Sequence, residues 1–275
     1  MKNIFVPEKN VSTFDKNDMI AYLQNIEIET QSQLFTQNEI EKIATALFSE
    51  YFDNNARPFF LHHFIPQWVE SVNYLFRDQK NPRIIELGCG TGTSSILFSL
   101  LGANVIGVEL DRNCVDLCLK RKKFYQSIVG PLDLSFVNAN TCSFPYKEYG
   151  PFDGVYSLFA FNMMQPTDIL LKRILKQLTV KGKLFITDGN KDSFYNRIIP
   201  SRRRKNIWSP KVLKRFLAKN NMRIEGIKTH SAIPPYLINK MNSPLLWTNV
   251  ENIIHFIHLH RFLGVSYTLK AMRVR

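Results

Sequence analysis

The chain has 275 residues, 45% hydrophobic and 21% charged, an ordinary globular composition that excludes a mainly disordered polymer and suffices for a full core. No apolar run approaches the roughly 18 residues of a membrane-spanning helix, and the opening Met1-Lys2-Asn3-Ile4-Phe5-Val6-Pro7-Glu8 is too short an apolar stretch for a signal peptide. The net charge of +13 divides unevenly, with −4 on residues 1–80 and +17 on residues 81–275, which points the larger part toward an anionic partner or else toward solvated basic helix faces.

In chain order, the first 80 residues read as a helical extension or cap. Ile40, Ile43, Ala44, Leu47 and Phe48 fall at helical spacing, as do Trp68, Val72, Leu75 and Phe76 between Pro66 and Pro82. From residue 81 strands and helices alternate. Strands are expected at Arg83–Leu87, Asn104–Glu109, Leu134–Val137, Gly154–Leu158 and Lys183–Thr187, with helices over Ser94–Leu101, Arg112–Lys123 and Thr167–Leu178. Such alternation implies a parallel sheet covered on both faces. Ser209-Pro210 opens a helix to Lys219, and two further strands are expected at Met222–Thr229 and Gly264–Arg273. Between them residues 231–263 form an insertion carrying Pro234-Pro235, then an apolar helix with Trp247, Ile253, Ile254, Phe256 and Ile257. The four cysteines, Cys89, Cys114, Cys118 and Cys142, show neither a C-x-x-C pair nor zinc-finger spacing, so free thiols and a cytoplasmic location are expected.

The strongest motif is Glu86-Leu87-Gly88-Cys89-Gly90-Thr91-Gly92, a strand feeding three glycines and then a helix. Glycine suits a turn where a ligand lies against bare backbone, and the helix N-terminus beyond it suits a carboxylate or phosphate. A dinucleotide site would want a glycine where Thr93 stands. The acidic strand end Val108-Glu109 offers a carboxylate to the hydroxyls of a ribose, as ligands in such sheets lie at the carboxyl ends of strands. Asp111 is the weaker candidate for that role.

With Glu109 following the three glycines, the chain resembles the class I, Rossmann-like, S-adenosylmethionine-dependent methyltransferases. The resemblance covers about residues 83–190. It implies a seven-stranded, mostly parallel α/β sheet with an antiparallel last strand and helices on both faces. It implies S-adenosyl-L-methionine as cofactor, bound by Glu86, Gly88, Cys89, Gly90 and Gly92 of the loop, Glu109 and Leu110 after the second strand, and Asn140 and Thr141 after the third. Asn140 stands where an acidic residue is usual, and its carbonyl can still accept the adenine N–H. Phe144 and Tyr146 either flank the base or pack in the core. Phe159 lies in the stretch Leu158–Met164, which in the family sits beside the transferred methyl.

The acceptor is less legible. No metal set is expected from His255 and His258, which lack a third ligand, and His62 or His63 is the weak candidate for a general base. Lys120-Arg121-Lys122-Lys123 reads as a solvated helix face, and Arg202-Arg203-Arg204-Lys205 as the better anion-binding run. The stretch Leu158–Met164 lacks the signatures that resemble base-modifying or arginine-modifying enzymes. A small-molecule acceptor, acidic, lipid-like or a natural product or peptide, with O-methylation slightly ahead of N- or C-methylation, is therefore the leading expectation. RNA or protein as acceptor, and a silent cofactor-binding scaffold, are the alternatives.

Overall fold

The computed structural model describes residues 4–7, 13–46, 57–198, 208–230, 244–256, 259 and 263–275. Seven strands form one sheet in the order β3-β2-β1-β4-β5-β7-β6. β1 (Arg83–Leu87), β2 (Asn104–Glu109), β3 (Leu134–Asn138), β4 (Phe152–Leu158) and β5 (Leu178–Gly189) pair in parallel. β7 (Ser266–Arg273) runs antiparallel between β5 and β6 (Met222–His230). The expected sheet, with its antiparallel last strand, is the one observed.

Before the sheet come α1 (Lys16–Thr30), α2 (Gln37–Ala46), α3 (Arg57–His63) and α4 (Ile65–Phe76). Crossovers are made by α5 (Thr93–Leu100), α6 (Arg112–Val129), the short α7 (Tyr146–Tyr149) and α8 (Thr167–Leu175). Then come α9 (Phe194–Ile198), α10 (Pro210–Lys219) and α11 (Pro244–Phe256). Among the described residues no helix is long and apolar enough to cross a membrane.

Alternation along each strand divides the core. Ile84, Tyr156 and Phe185 face one layer with Met19, Tyr22, Leu23 and Ile26 of α1, Val72 and Leu75 of α4, and Phe98 of α5. Ile85, Val155, Leu184 and Ile186 face the other, with Leu170, Leu171 and Ile174 of α8 and Leu213 and Leu217 of α10. Both faces of the inner strands are buried, which is why they read as continuous apolar runs.

Some boundaries differ from the expected ones for local reasons. α8 stops at Leu175, short of the expected Leu178, because Leu178 already pairs with Phe152 and the Gln177 carbonyl accepts the Phe152 amide at 2.7 Å. α6 runs past Lys123 to Val129, with Phe124 and Tyr125 buried, and ends at Gly130. α1 falls within the expected helical extension, although no periodicity located it. Asp15 caps it and forms a capping box with Asp18. Asn25 of α1 bonds both backbone groups of Phe5, and Asn73 of α4 does the same for Phe14, which ties the preceding chain down.

Candidate cofactor and active site

β1 has β2 on one side and β4 on the other, so the chain reverses its direction of travel across the sheet there. Loops leaving the carboxyl ends of β1 and β4 diverge at such a point and leave a crevice. The glycine loop lies in it. The Gly88 and Cys89 amides donate to the Val108 carbonyl at 2.8 and 3.2 Å, and the Gly92 amide closes the turn on the Cys89 carbonyl at 2.8 Å. At Gly88, φ +68, a Cβ would fall 2.5 Å from the Ala160 Cβ, so the loop after β4 packs directly on bare backbone. At Gly90, φ +53, a Cβ would meet nothing within 4 Å. That face of the loop is open. Gly92 is the N-cap of α5, whose first turn presents backbone N–H groups.

Glu109 ends β2 at the lip of the crevice. Its Oε2 accepts the Gly90 amide at 2.9 Å, and its Oε1 accepts the Leu110 and Asp111 amides at 2.7 and 3.0 Å. A carboxylate has about four lone-pair sites, so acceptor capacity remains. Leu110 is exposed beside it. The Asp111 side chain instead caps α6 through the Asn113 amide at 2.9 Å, and that bond holds its carboxyl below the usual range.

Beneath the loop Glu86 is fully enclosed and accepts the Ser95 hydroxyl. Burial pushes its carboxyl up to about 8. Cys89 is also buried, and the adjacent Cys118 thiol together with burial pushes its own thiol up. The Cys118 Sγ lies 3.2 Å from the Gly90 carbonyl, which it supports from α6.

After β3, Asn140 is exposed and its Oδ1 accepts the Cys142 amide at 2.8 Å, an Asx turn that leaves one lone pair. Thr141 is buried, and its carbonyl accepts the Tyr146 hydroxyl at 2.7 Å. Phe144 and Tyr146 both pack in the core, 4.9 Å apart edge to face. After β4, Phe159 takes φ +52 and its amide bonds the Thr187 carbonyl at 2.8 Å. Sequence reading missed Asp188, at the end of β5. Its Oδ2 accepts the Asn162 amide at 2.8 Å and its Oδ1 the Gly189 amide at 2.6 Å, fixing the turn Phe161–Met163, whose flanking Ala160 and Met164 lie against Gly88; burial raises its carboxyl.

The sequence matches the model of a methyltransferase domain family over residues 60–231, more than half of the chain. The chain belongs to that family. No curated protein matches the sequence. Many solved structures share the fold of this methyltransferase, and two of them illustrate it at low identity. One is geranyl diphosphate C-methyltransferase from Streptomyces coelicolor, in complex with Mg2+, geranyl diphosphate and S-adenosyl-L-homocysteine; it is 19% identical over 76% of this chain and 79% of that one, TM-score 0.58. The other is magnesium protoporphyrin IX methyltransferase from Synechocystis with bound S-adenosylhomocysteine, 14% identical over 86% and 97%, TM-score 0.56. The methyltransferase uses S-adenosylmethionine, and its loop fits that group: an open glycine face, a helix N-terminus and a carboxylate stand around one crevice.

Elsewhere in the methyltransferase, His62 is exposed on α3, its Nε2 3.2 Å from Asn252 Oδ1 on α11. The His63 and His255 side chains, His258, Arg202–Lys205 and Pro234-Pro235 lie outside the described residues. Among the described residues no cluster of metal-ligand side chains occurs. The basic run on α6 is not a solvated face. Arg121 is fully buried, Lys120 pairs with Glu39 at 2.7 Å and Lys122 donates to the Leu134 carbonyl, leaving Lys123 exposed. A basic cavity of about 360 Å³, lined by Lys172, Lys176, Lys219 and Arg273 among others, opens at the opposite end of the sheet. There Arg273 donates to the Leu175 carbonyl at 3.0 Å, at the C-terminus of α8, where helix carbonyls favour cations.

Proposed function

We propose that this methyltransferase binds S-adenosylmethionine over Gly90 and transfers its methyl to a small, anionic and largely apolar acceptor through an oxygen atom. The observation that carries this reading is the open face of Gly90 beside the Glu109 carboxylate, joined by one hydrogen bond of 2.9 Å. Glu109 would accept the ribose hydroxyls on its remaining lone pairs. Leu110 and Asn140 would border the adenine, and the first turn of α5 would face the carboxylate of the methionine moiety. Glu86, Gly88, Cys89, Gly92 and Thr141 shape the site from below and behind.

Methyl transfer from a sulfonium is an in-line displacement, and alignment alone can supply about 7–11 kcal/mol of such a barrier. General base catalysis adds only about 10²–10⁴-fold. A carboxylate or phenolate oxygen already carries the lone pair and needs no base, and the +17 of residues 81–275 attracts its charge. Met163, Phe194, Ile253 and Phe256 are exposed apolar side chains on the turn after β4, α9 and α11, elements that would border the acceptor. Phe159 would stand near the transferred methyl. His62 on α3, in contact with Asn252 of α11, is the base of this reading where the acceptor arrives protonated, with His63 its neighbour in the chain.

Incubation with S-adenosylmethionine labelled in the methyl group tests the acceptor class. Separate reactions offer a small-molecule extract, RNA and protein, and label is expected in the anionic, organic-extractable fraction. Label in RNA or protein would overturn the acceptor class. No label anywhere, from protein that binds S-adenosylhomocysteine, would leave a cofactor-binding scaffold.

A further inference from the structure

Arg121 sits in a run of four basic residues on α6, yet its side chain has no exposed surface, and neither does Glu29 on α1. The two meet as a fork. Nε donates to Glu29 Oε1 at 2.6 Å and Nη2 to Oε2 at 2.9 Å, the bidentate geometry that a guanidinium makes best with a carboxylate. The Tyr125 hydroxyl gives Glu29 Oε2 a further donor at 3.1 Å. The remaining nitrogen turns to the glycine loop: Nη1 donates to the Thr91 carbonyl at 2.7 Å and to the Thr93 Oγ1 at 2.9 Å. From α1 the Tyr22 hydroxyl donates to the Thr93 carbonyl at 2.7 Å. Thr91 stands between Gly90 and Gly92, and Thr93 opens α5.

We propose that Arg121, Glu29 and Tyr22 are positioning residues for cofactor binding, through which α1 holds the glycine loop and the first turn of α5 in their binding conformation. This rests on the reading that the loop receives S-adenosylmethionine. None of the three reaches the open face of Gly90; they grip the loop from the core side. The loop needs such a grip. Its glycines have no side chains to pack, and glycine backbone retains more freedom than any other. Thr91 and Thr93 are where that freedom is removed. A buried ion pair is a weak device for stability, since apolar residues of similar volume often serve as well or better. A network whose free donors all end on one ligand loop is better explained by orientation than by stability.

The distinction is testable because stability and orientation separate in the double variant Glu29→Met/Arg121→Met, which removes both charges and keeps the volume. It is expected to fold. Its Kd for S-adenosylhomocysteine and its KM for S-adenosylmethionine are expected to rise at least tenfold, with kcat at saturating cofactor little changed. Amide hydrogen exchange at residues 90–95 is expected to quicken at least tenfold, with β1 and β4 as protected as before. A folded double variant with native affinity and native loop exchange would overturn the proposal. Should the double variant not fold, Tyr22→Phe decides, because it deletes one hydroxyl. A several-fold loss of affinity with faster exchange at residues 93–95 supports positioning, and unchanged values overturn it. Should the wild-type protein fail to bind S-adenosylhomocysteine, the cofactor reading falls, while loop exchange in the ligand-free variants still judges the grip itself.

Discussion

The Gly90 amide and the Glu109 carboxylate meet across the mouth of the crevice at 2.9 Å. The bond ties the tip of the glycine loop to the end of β2, so the two segments that the proposed reading sets around one ligand are held in register. Backbone amides also hold the other carboxylate oxygen. On the proposed reading the carboxylate would need no rotamer search to accept a ribose, and little side-chain entropy would be lost on binding.

Glu86 makes stability depend on pH. Its carboxyl lies near 8 in the folded protein against an ordinary 4.5. Below the ordinary value both folded and unfolded chains are protonated there, and the group has no effect on the slope. Between the two values the unfolded chain releases the proton and the folded chain keeps it, so stability falls as pH rises. The ceiling on that fall is about 1.4 kcal/mol per pH unit across the window. Glu86→Gln, which stays neutral, is expected to match the wild-type melting temperature near pH 4.5 and exceed it by several degrees near pH 8. A constant difference between the two melting curves would contradict this origin.

Asp188 holds the turn after β4 rather than the cofactor. Asp188→Asn keeps one acceptor oxygen for two amides, those of Asn162 and Gly189. Affinity for S-adenosylhomocysteine is expected to stay within about twofold, while kcat falls by roughly 10-fold to 100-fold, as a small misplacement would do to groups that the proposed reading sets near the reacting atoms. Calorimetry beside steady-state kinetics separates the two effects.

Removing one partner of the buried pair is a harsher change than removing both. Arg121→Ala leaves Glu29 charged and enclosed, and should cost about 3–5 kcal/mol of folding stability. Denaturant titration would show it as a lower midpoint at the wild-type slope. An Arg121→Ala protein more stable than the double methionine variant would contradict the charge argument.

Much of this architecture was legible in the sequence. β1, β2 and β4 are short, largely apolar runs, β1 running into Gly88 and β2 ending in Glu109, the form that parallel strands buried on both faces take. The glycine loop and Glu109 were legible because turn geometry and strand ends leave local marks. What escaped depends on distant partners. α1 buries Asn25 and Glu29 on the face that also carries Tyr22 and Ile26, so its apolar stripe is broken by polar residues. In the sequence Arg121 looks like any basic residue of a helix face until the carboxylate 92 residues earlier folds onto it. Asp188 looks like any acid at a strand end, and the amide it holds belongs to a turn 26 residues earlier. Phe144 and Tyr146 could have served a base or the core, and only packing chose the core.

The most direct test of the cofactor site is a calorimetric titration of S-adenosylhomocysteine into wild-type protein, Glu109→Ala and Gly90→Val. The wild type is expected to bind with Kd on the order of micromolar, about −8 kcal/mol. Glu109→Ala is expected to lose roughly 10-fold to 100-fold in affinity, in line with about 1.5–3 kcal/mol for hydrogen bonds to a charged group. Gly90→Val places a branched side chain in the open face at φ +53 and is expected to abolish binding while circular dichroism stays that of a folded chain. Undiminished binding by a folded Gly90→Val protein would contradict a cofactor site over Gly90.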